Sequence, residues 1–497
     1  MISKPGSRGQ NPDYPPYRRA FRVNRGAARE KPAQMQRRKR SSLSLRVASA
    51  AASLLALPPS ARADFAHLVK DDSGAWWFEQ NGARWMSFVA NHVNDGGADD
   101  GVGGRERAVC VAATGNALCG DSLNFAGALG YAPYFNVTQA KHGSVEAWAA
   151  AATLDLAAWG FNGVSGWSNT AAESAARSAG MHSFHLLDIG ITWPHVSRGL
   201  DFDVFSSNFS AQAEAIAAAA IPPRASDESL IGWQTDNELN FGALGLSAYL
   251  NGFADSEGGA ACVAWLQARY ATLAAINAAW GTSATTWTGS PTGIGYHLAH
   301  DAGVKRAAVA ADDAEWTAAV MDRYYNVTVG LIRKYDPNHL VSGVRFSQTT
   351  DQVLAVAARY CDLLDLHDYG DLPDITKMQA IYAATGRPMV LGEFSFTAAD
   401  SNMPNTHGAR ANNPEVTQTA RARKYELYAA ALIEQPFVLG YGWRVFLAHR
   451  DMPAHFDAKT LTLFSHPILF LLFAGGSKYC RRNPANAPFQ PQPPNPA

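Results

Sequence analysis

Two glutamates follow apolar runs at widely separated points of the chain: Glu238 in "IGWQTDNELNFG", Ile231 to Gly242, and Glu393 in "RPMVLGEFSF". Polar residues from Gln234 to Asn237 leading into a carboxylate, directly after an apolar strand, suit a strand that opens into a cleft. Two carboxyls facing one another across a cleft can break a glycosidic bond. One protonates the leaving oxygen while the other, ionised, attacks the anomeric carbon or activates water. Asn237 suits a hydrogen bond to a sugar 2-hydroxyl, which strengthens as oxocarbenium charge develops. Tyr369 is placed to hold Glu393 in its nucleophilic geometry and lower its pKa, and Trp443 to floor a sugar subsite. His92 and His367, near strand ends, are candidates for sugar hydroxyls, weighed against satisfied structural histidines. Arg345 is a candidate for a hydroxyl or an acidic sugar group, with a salt bridge inside the mouth as the alternative. Asp236 and Asp368 either support the site electrostatically or bond loop amides. Taken singly, each residue has a plain reading as a cap, a turn or core; their joint occurrence at strand ends carries the argument.

The elements that must position them are short apolar or β-branched runs alternating with alanine-rich helical stretches, the rhythm of βα units and a parallel sheet. Eight strands are predicted: Trp85 to Val93, Phe161 to Trp167, His182 to Ile189, Ser229 to Asp236, His339 to Phe346, Leu363 to Tyr369, Arg387 to Phe394 and Phe437 to Trp443. Eight closes a (β/α)8 TIM barrel, in which strand C-termini share one mouth. Glu238 then ends the fourth strand, Tyr369 the sixth, Glu393 the seventh and Trp443 the eighth. Before the second strand a helix is expected in "SVEAWAAAATLDLAAWG", with Trp148, Leu154, Leu156 and Trp159 on its apolar face and Gly160 as its stop. A second is expected to end just past Lys334, shut by Pro337. A long insertion separates strands four and five, which in a barrel lies at the catalytic face.

The charge balance narrows the partners. Residues 1–63 hold 14 Lys and Arg against Asp13 and Glu30, leaving 28 basic and 41 acidic residues in the rest, a net of −13. That argues against nucleic acid, although a basic-armed nucleic-acid binder is the reading if the arm is retained. Arg37 to Arg40, the apolar stretch around Val47 to Leu57 and Ala61-Arg62-Ala63 read as a signal peptide cleaved near Ala63, which predicts a periplasmic or secreted protein. The apolar stretch is too short to span a bilayer in the mature protein. Domains are accordingly expected at 1–63 (extension and signal peptide), 64–475 (barrel) and 476–497 (disordered Pro-rich tail). The apolar run "LTLFSHPILFLLFAGG" is read as an improvised eighth helix or the product of a frame shift. The five cysteines include no C-x-x-C; Cys110 and Cys119 either close one loop or stay free. With no H-E-x-x-H, nucleophile elbow, Walker loop or dinucleotide fingerprint, no metal or organic cofactor is expected.

"GWQTDNELNFG" and "MVLGEFSF" resemble the two signature segments of clan A retaining glycoside hydrolases. The resemblance implies Glu238 as acid/base, Glu393 as nucleophile and Asn237 on the 2-hydroxyl. Arg269, Tyr270, Asn277, Trp280, Gly281 and Thr282 are similar to positions in family 42 β-galactosidases, and "WAAAATLDLAAWGFNGVSGWS" with "GEFSF" looks equally like the family 50 β-agarases. Together these lead to a retaining hydrolase of β-linked, galactose-containing oligo- or polysaccharides, with the two carboxyls about 5 Å apart. The alternatives are an agarase-like polysaccharide hydrolase and a catalytically inactive carbohydrate-binding barrel.

Overall fold

The computed structural model describes residues 64–95, 133–190, 203–239, 245–400 and 415–444. Its strands are β1 (His67–Lys70), β2 (Trp76–Gln80), β3 (Ala83–Trp85), β4 (Ser87–Asn91), β5 (Gly163–Ser165), β6 (His182–Leu186), β7 (Leu230–Asn237), β8 (Leu340–Phe346), β9 (Leu364–His367), β10 (Met389–Phe394) and β11 (Val438–Trp443). Strands β4 to β11 pair in parallel, each with the next, and β11 returns to β4 through Gly440↔Ser87 to Trp443↔Ala90. The protein is a (β/α)8 barrel, and its eight strands are the eight predicted ones, mostly shorter at their ends, with β7 running one residue further, to Asn237, and Trp85 belonging to β3 instead. Both faces of each strand are covered, which explains near-continuous apolar runs rather than alternation.

A feature absent from the sequence reading is a small antiparallel sheet, β1–β2–β3, ahead of the barrel. Its second hairpin turns on Asn81-Gly82, both at positive φ (52° and 72°), the pair favoured by a two-residue loop whose twist matches its strands. Phe78 of β2, fully buried, packs in one cluster with Ala66, Phe184, Ile231, Leu363, Val390 and Leu439. Trp76, Trp85 and Leu340 pack against that cluster, and the Trp76 amide donates to the Pro436 carbonyl just before β11 (2.7 Å). The sheet therefore closes the N-terminal end of the barrel with apolar side chains.

Between β4 and β5 the helix Val145–Ala158 starts at Ser144, whose hydroxyl accepts from the Ala147 amide, and is followed by Gly160 at φ 87°. Its buried face is Trp148, Ala149, Ala152, Thr153 and Leu156. Leu154, expected there, is 69% exposed: two residues from Leu156 is about 200° around a helix, and the small alanines take the inward stripe instead.

The insertion after β7 carries helices Glu257–Tyr270, Leu273–Trp280 and Ile294–His300 before the 30-residue helix Arg306–Tyr335, which stops at Asp336-Pro337. The family 42-like residues meet there. Asp312, 2% exposed, accepts from Trp280 Nε1 (2.6 Å), pairs with Arg269 Nε (2.7 Å) and accepts from the Tyr270 hydroxyl. Asn277 Oδ1 accepts from Thr282 Oγ1 (2.8 Å) and the Ala284 amide (3.0 Å), while Gly281 closes its helix at φ 70°. These residues build a clamp that holds the insertion's helices together.

The predicted signal peptide, Cys110, Cys119 and Cys480, the apolar run after β11 and the Pro-rich tail lie outside the described residues. Among the described residues Cys262 and Cys361 are free and buried, and no helix is long and apolar enough to cross a membrane.

Candidate active site

Strand register brings the candidate residues together. Asn237 pairs with Arg345, Arg345 with Asp365, and Glu393 with His367, so side chains from β7, β8, β9 and β10 meet at the C-terminal mouth. One oxygen of Glu238, one oxygen of Glu393 and a ring nitrogen of His367 all lie within 4.8 Å of one another. Each of the three is already hydrogen-bonded within the protein, which accounts for their convergence without an ion. His367 Nδ1 is 2.7 Å from Glu238 Oε1 and 3.7 Å from Glu393 Oε2. The Glu238 side chain is 37% exposed and that of Glu393 only 2%, so one carboxyl faces solvent and the other is sealed.

Glu393 is surrounded by donors. Arg345 Nη1 donates to Oε1 (2.9 Å), the Tyr369 hydroxyl donates to Oε2, and Arg444 Nε lies 3.3 Å from Oε2. Burial alone would raise its pKa, but the positive charge of Arg345, seconded by that of Arg444, outweighs burial and holds it at about 2. The Tyr369 phenol is pushed well above its ordinary value by burial and by the Glu393 charge, so it stays protonated and remains a donor. His92 is lowered to about 3, chiefly by burial and further by Arg444 and Arg345 against the opposing pull of Glu393. Its ring is therefore neutral at ordinary pH, and it lies 4.5 Å from Trp167.

Of the two readings of Arg345, the salt bridge within the mouth is present: the side chain is fully buried and pairs with Glu393. Its Nη atoms donate to Glu393, Asn237 Oδ1 (2.9 Å), Asn91 Oδ1 (3.0 Å) and the Gly392 carbonyl (3.0 Å). Burial disfavours its charge, yet Glu393 and Asp365 raise its pKa further, so it stays a cation. Because Asn237 Oδ1 is engaged by Arg345, its Nδ2 donors remain for a ligand. The crowding explains two glycines. A Cβ on Gly392 would lie 1.9 Å from Asp365 Oδ1, and one on Gly166 2.7 Å from Arg345 Nη1.

Trp443 corrects an expectation. Its ring packs on Phe394 (5.4 Å), Tyr425 (5.3 Å) and Phe396 (6.1 Å), against the helix Gln418–Ile433 that carries Tyr425. Side chains alternate along β11. Gly442, facing Gly392 and Asn91, takes the inner position, which turns Tyr441 and Trp443 toward the helix. Asp236 and Asp368 bond loop amides: Asp236 Oδ1 accepts from Gly190 (2.6 Å), and Asp368 from Gly370 (2.9 Å) and Asp374 (2.7 Å).

Sequence reasoning missed Asn91, Asp365 and Arg444. Asn91 ends β4 and ties Arg345 to the Gly392 carbonyl. Asp365, fully buried, accepts from Gln234 Nε2 (2.8 Å). Burial raises its pKa, and Arg345, His367 and Gln234 offset this only in part. A signal for Asp365 existed: in "LLDLHDY" it stands two residues before His367, on the same strand face.

Backbone conformation also marks the mouth. His92, Trp167, Asp188 and Glu238, following four consecutive barrel strands, all lie at φ between 48° and 58°. Left-handed backbone in such residues costs roughly 1–3 kcal/mol each and gathers at functional sites. Beside His367 and Tyr369 a cavity of about 300 Å³ is lined by polar Ser347, Gln348 and Lys377 and by apolar Leu366, Met378 and Leu391.

No family model matches the chain. It is 24% identical over 216 residues to β-agarase B of Vibrio sp. (strain JT0107), a stretch covering 43% of this chain and 22% of that protein. It is 25% identical over 304 residues to β-agarase A of the same strain, covering 54% and 29%. The chain thus spans under a third of the curated relatives it matches. Among solved structures, an exo-β-agarase superposes with a TM-score of 0.59 at 19% identity, covering 77% of this chain and 60% of that one. A protein named BpGH50 gives 0.56 at 13% identity, covering 84% of each. Of the two families named from sequence, the relatives speak for the agarases, and the chain resembles agarase-like glycoside hydrolases built on the same barrel.

Proposed function

We propose that this chain is a retaining hydrolase of β-linked, galactose-containing polysaccharides of the agarose type, with Glu393 as nucleophile and Glu238 as acid/base. The observation that carries the reading is that an oxygen of Glu238 and an oxygen of Glu393, at the ends of β7 and β10, lie within 4.8 Å of one another. Double displacement requires separations near 5 Å, whereas inversion needs roughly 6.5–9.5 Å to admit a water. Glu393 attacks the anomeric carbon, for which its ionised state is the competent one. Glu238, on the solvent side, protonates the leaving oxygen and then removes a proton from the water that releases the sugar. Tyr369 and Arg345 hold the nucleophile's two oxygens, and Asn237 offers Nδ2–H to the sugar. His92 and His367 line the same mouth. A leader cleaved after Ala63, with a barrel domain over residues 64–475, fits a substrate met outside the cell.

The test is hydrolysis of aryl β-galactosides and agarose oligosaccharides by the parent, Glu238→Gln and Glu393→Gln, with the anomeric configuration of the first-formed product followed by NMR. Turnover with retention, abolished in both variants, is the expected result. An inverted product would sink the double displacement. A folded parent that binds these sugars and turns over none would leave a carbohydrate-binding barrel.

A further inference from the structure

The guanidinium of Arg345 has two unlike sides. Its Nη atoms are fully engaged, by Glu393, Asn237, Asn91 and the Gly392 carbonyl. Its Nε has no hydrogen-bond partner and lies 3.5 Å from Asp365 Oδ2, while Asp365 Oδ1 is also without one. Both side chains are fully buried. Two buried, oppositely charged groups thus face each other at a distance too long for a good hydrogen bond, beside a pair that is closed at 2.9 Å. We infer that Asp365 is a reserve counter-ion, with which Arg345 pairs while Glu393 is esterified by the sugar.

The inference rests on the proposed double displacement. When Glu393 Oε attacks the anomeric carbon, the C–O bond to the leaving group breaks. Its electron pair goes to the leaving oxygen, which takes the proton of Glu238. The site's net charge is unchanged, but the negative charge has moved from Glu393 to Glu238, beside His367 and away from Arg345. A buried cation left without a partner is strongly destabilising. Closing the 3.5 Å gap to Asp365 Oδ2 supplies one within the existing packing, since Gln234 Nε2 already holds that same oxygen at 2.8 Å and leaves its second lone pair for Arg345 Nε. Attack of water reverses the shift and returns Arg345 to Glu393. Asp365 acts through Arg345 and touches no reacting atom, so it is a positioning residue.

The two half-reactions should therefore respond in opposite senses. With 2,4-dinitrophenyl 2-deoxy-2-fluoro-β-D-galactoside, the dinitrophenolate burst reports glycosylation and recovery of activity reports deglycosylation. Asp365→Asn should slow the burst by about tenfold or more and speed recovery, because only the ester state has lost its counter-ion. A residue needed merely for packing would slow both steps, and that result, or unchanged rates, overturns the inference. Should the variant not fold, a crystal structure of the parent's adduct decides: Arg345 Nε to Asp365 should close to about 3.0 Å, and a gap still near 3.5 Å overturns it. Absence of a Glu393 adduct in the parent overturns the retaining reading itself, and this inference with it.

Discussion

The floor of the barrel and the inner layer of its mouth are made by the same strands and both exclude water, yet they are held together in opposite ways. At the floor Phe78, Phe184, Ile231, Val390 and Leu439 are at most 4% exposed, and removing their surface from water stabilises by roughly 25 cal/mol per Å² whatever their partners. At the mouth Asn91, Gln234, Arg345, Asp365 and Glu393 are at most 1% exposed. There burial is costly and is offset only where a partner of the right kind sits within hydrogen-bond distance. The lesson is that burial alone does not rank positions for stability. A floor residue contributes by being apolar, a mouth residue only through its neighbours, and the strained backbone lies around the mouth.

This contrast can be broken experimentally, and the largest effect is catalytic. Glu393→Gln keeps the shape and most hydrogen bonds of the mouth but removes the nucleophile. Activity on a β-galactoside or agarose oligosaccharide should fall by about 10⁴-fold, with Glu238→Gln losing about 10²–10⁴-fold; thermal melting should shift little in Glu238→Gln and drop in Glu393→Gln, which leaves Arg345 without its paired charge. Loss of folding alongside activity would mean that the charge, rather than shape, holds the mouth together.

Arg345→Met should damage both properties. It strands Glu393 and Asp365 without their cation, and breaking a buried pair costs about 3–5 kcal/mol. Denaturant unfolding should show a loss of that size together with near-complete loss of turnover. A stable, inactive variant would show that the mouth tolerates uncompensated charge.

Phe78→Ala tests the floor. A cavity there should cost about 3–5 kcal/mol while kcat/KM per folded molecule stays within about twofold of the parent, because no floor residue touches the carboxylates. A specific fall in kcat/KM would show that the two ends are coupled.

The smallest expected effect is in pH dependence. Glu393 titrates at about 2 when folded against an ordinary 4.5. A depressed folded pKa contributes stability that is fully present above the unfolded value and is lost as pH falls from about 4.5 toward 2. The amount is on the order of 3 kcal/mol. Unfolding free energies measured across that window should be steeper in the parent than in Glu393→Gln, and equal slopes would place the acid sensitivity elsewhere.

Much of this was legible in the chain. Apolar runs of strand length, spaced by alanine-rich stretches, announce the eight strands, and polar residues closing "IGWQTDNE" and "LGEF" announce a mouth. The floor sheet has its own signal in "FEQNGARW", an Asn-Gly hairpin turn between aromatic strands, a short antiparallel pattern set against the parallel rhythm of the rest. Leu154 and Trp443 show another limit. Large apolar residues are expected to take the inner faces there, but alanines fill the helix's inward stripe, and Gly442 rather than Trp443 takes the inner position of β11.

By itself the sequence determined what depends on local spacing: strand and helix type, their order, and the placement of Glu238 and Glu393 just where strands end. Only the tertiary structure decided what those glutamates are chemically. Arg345 meets Glu393, Asn237, Asn91 and Asp365 because four different strands are brought into register around a closed barrel. Electrostatic pairing depends on distances of a few ångströms between segments far apart in sequence, and on the water excluded between them. Neither quantity is carried by any one stretch of the chain.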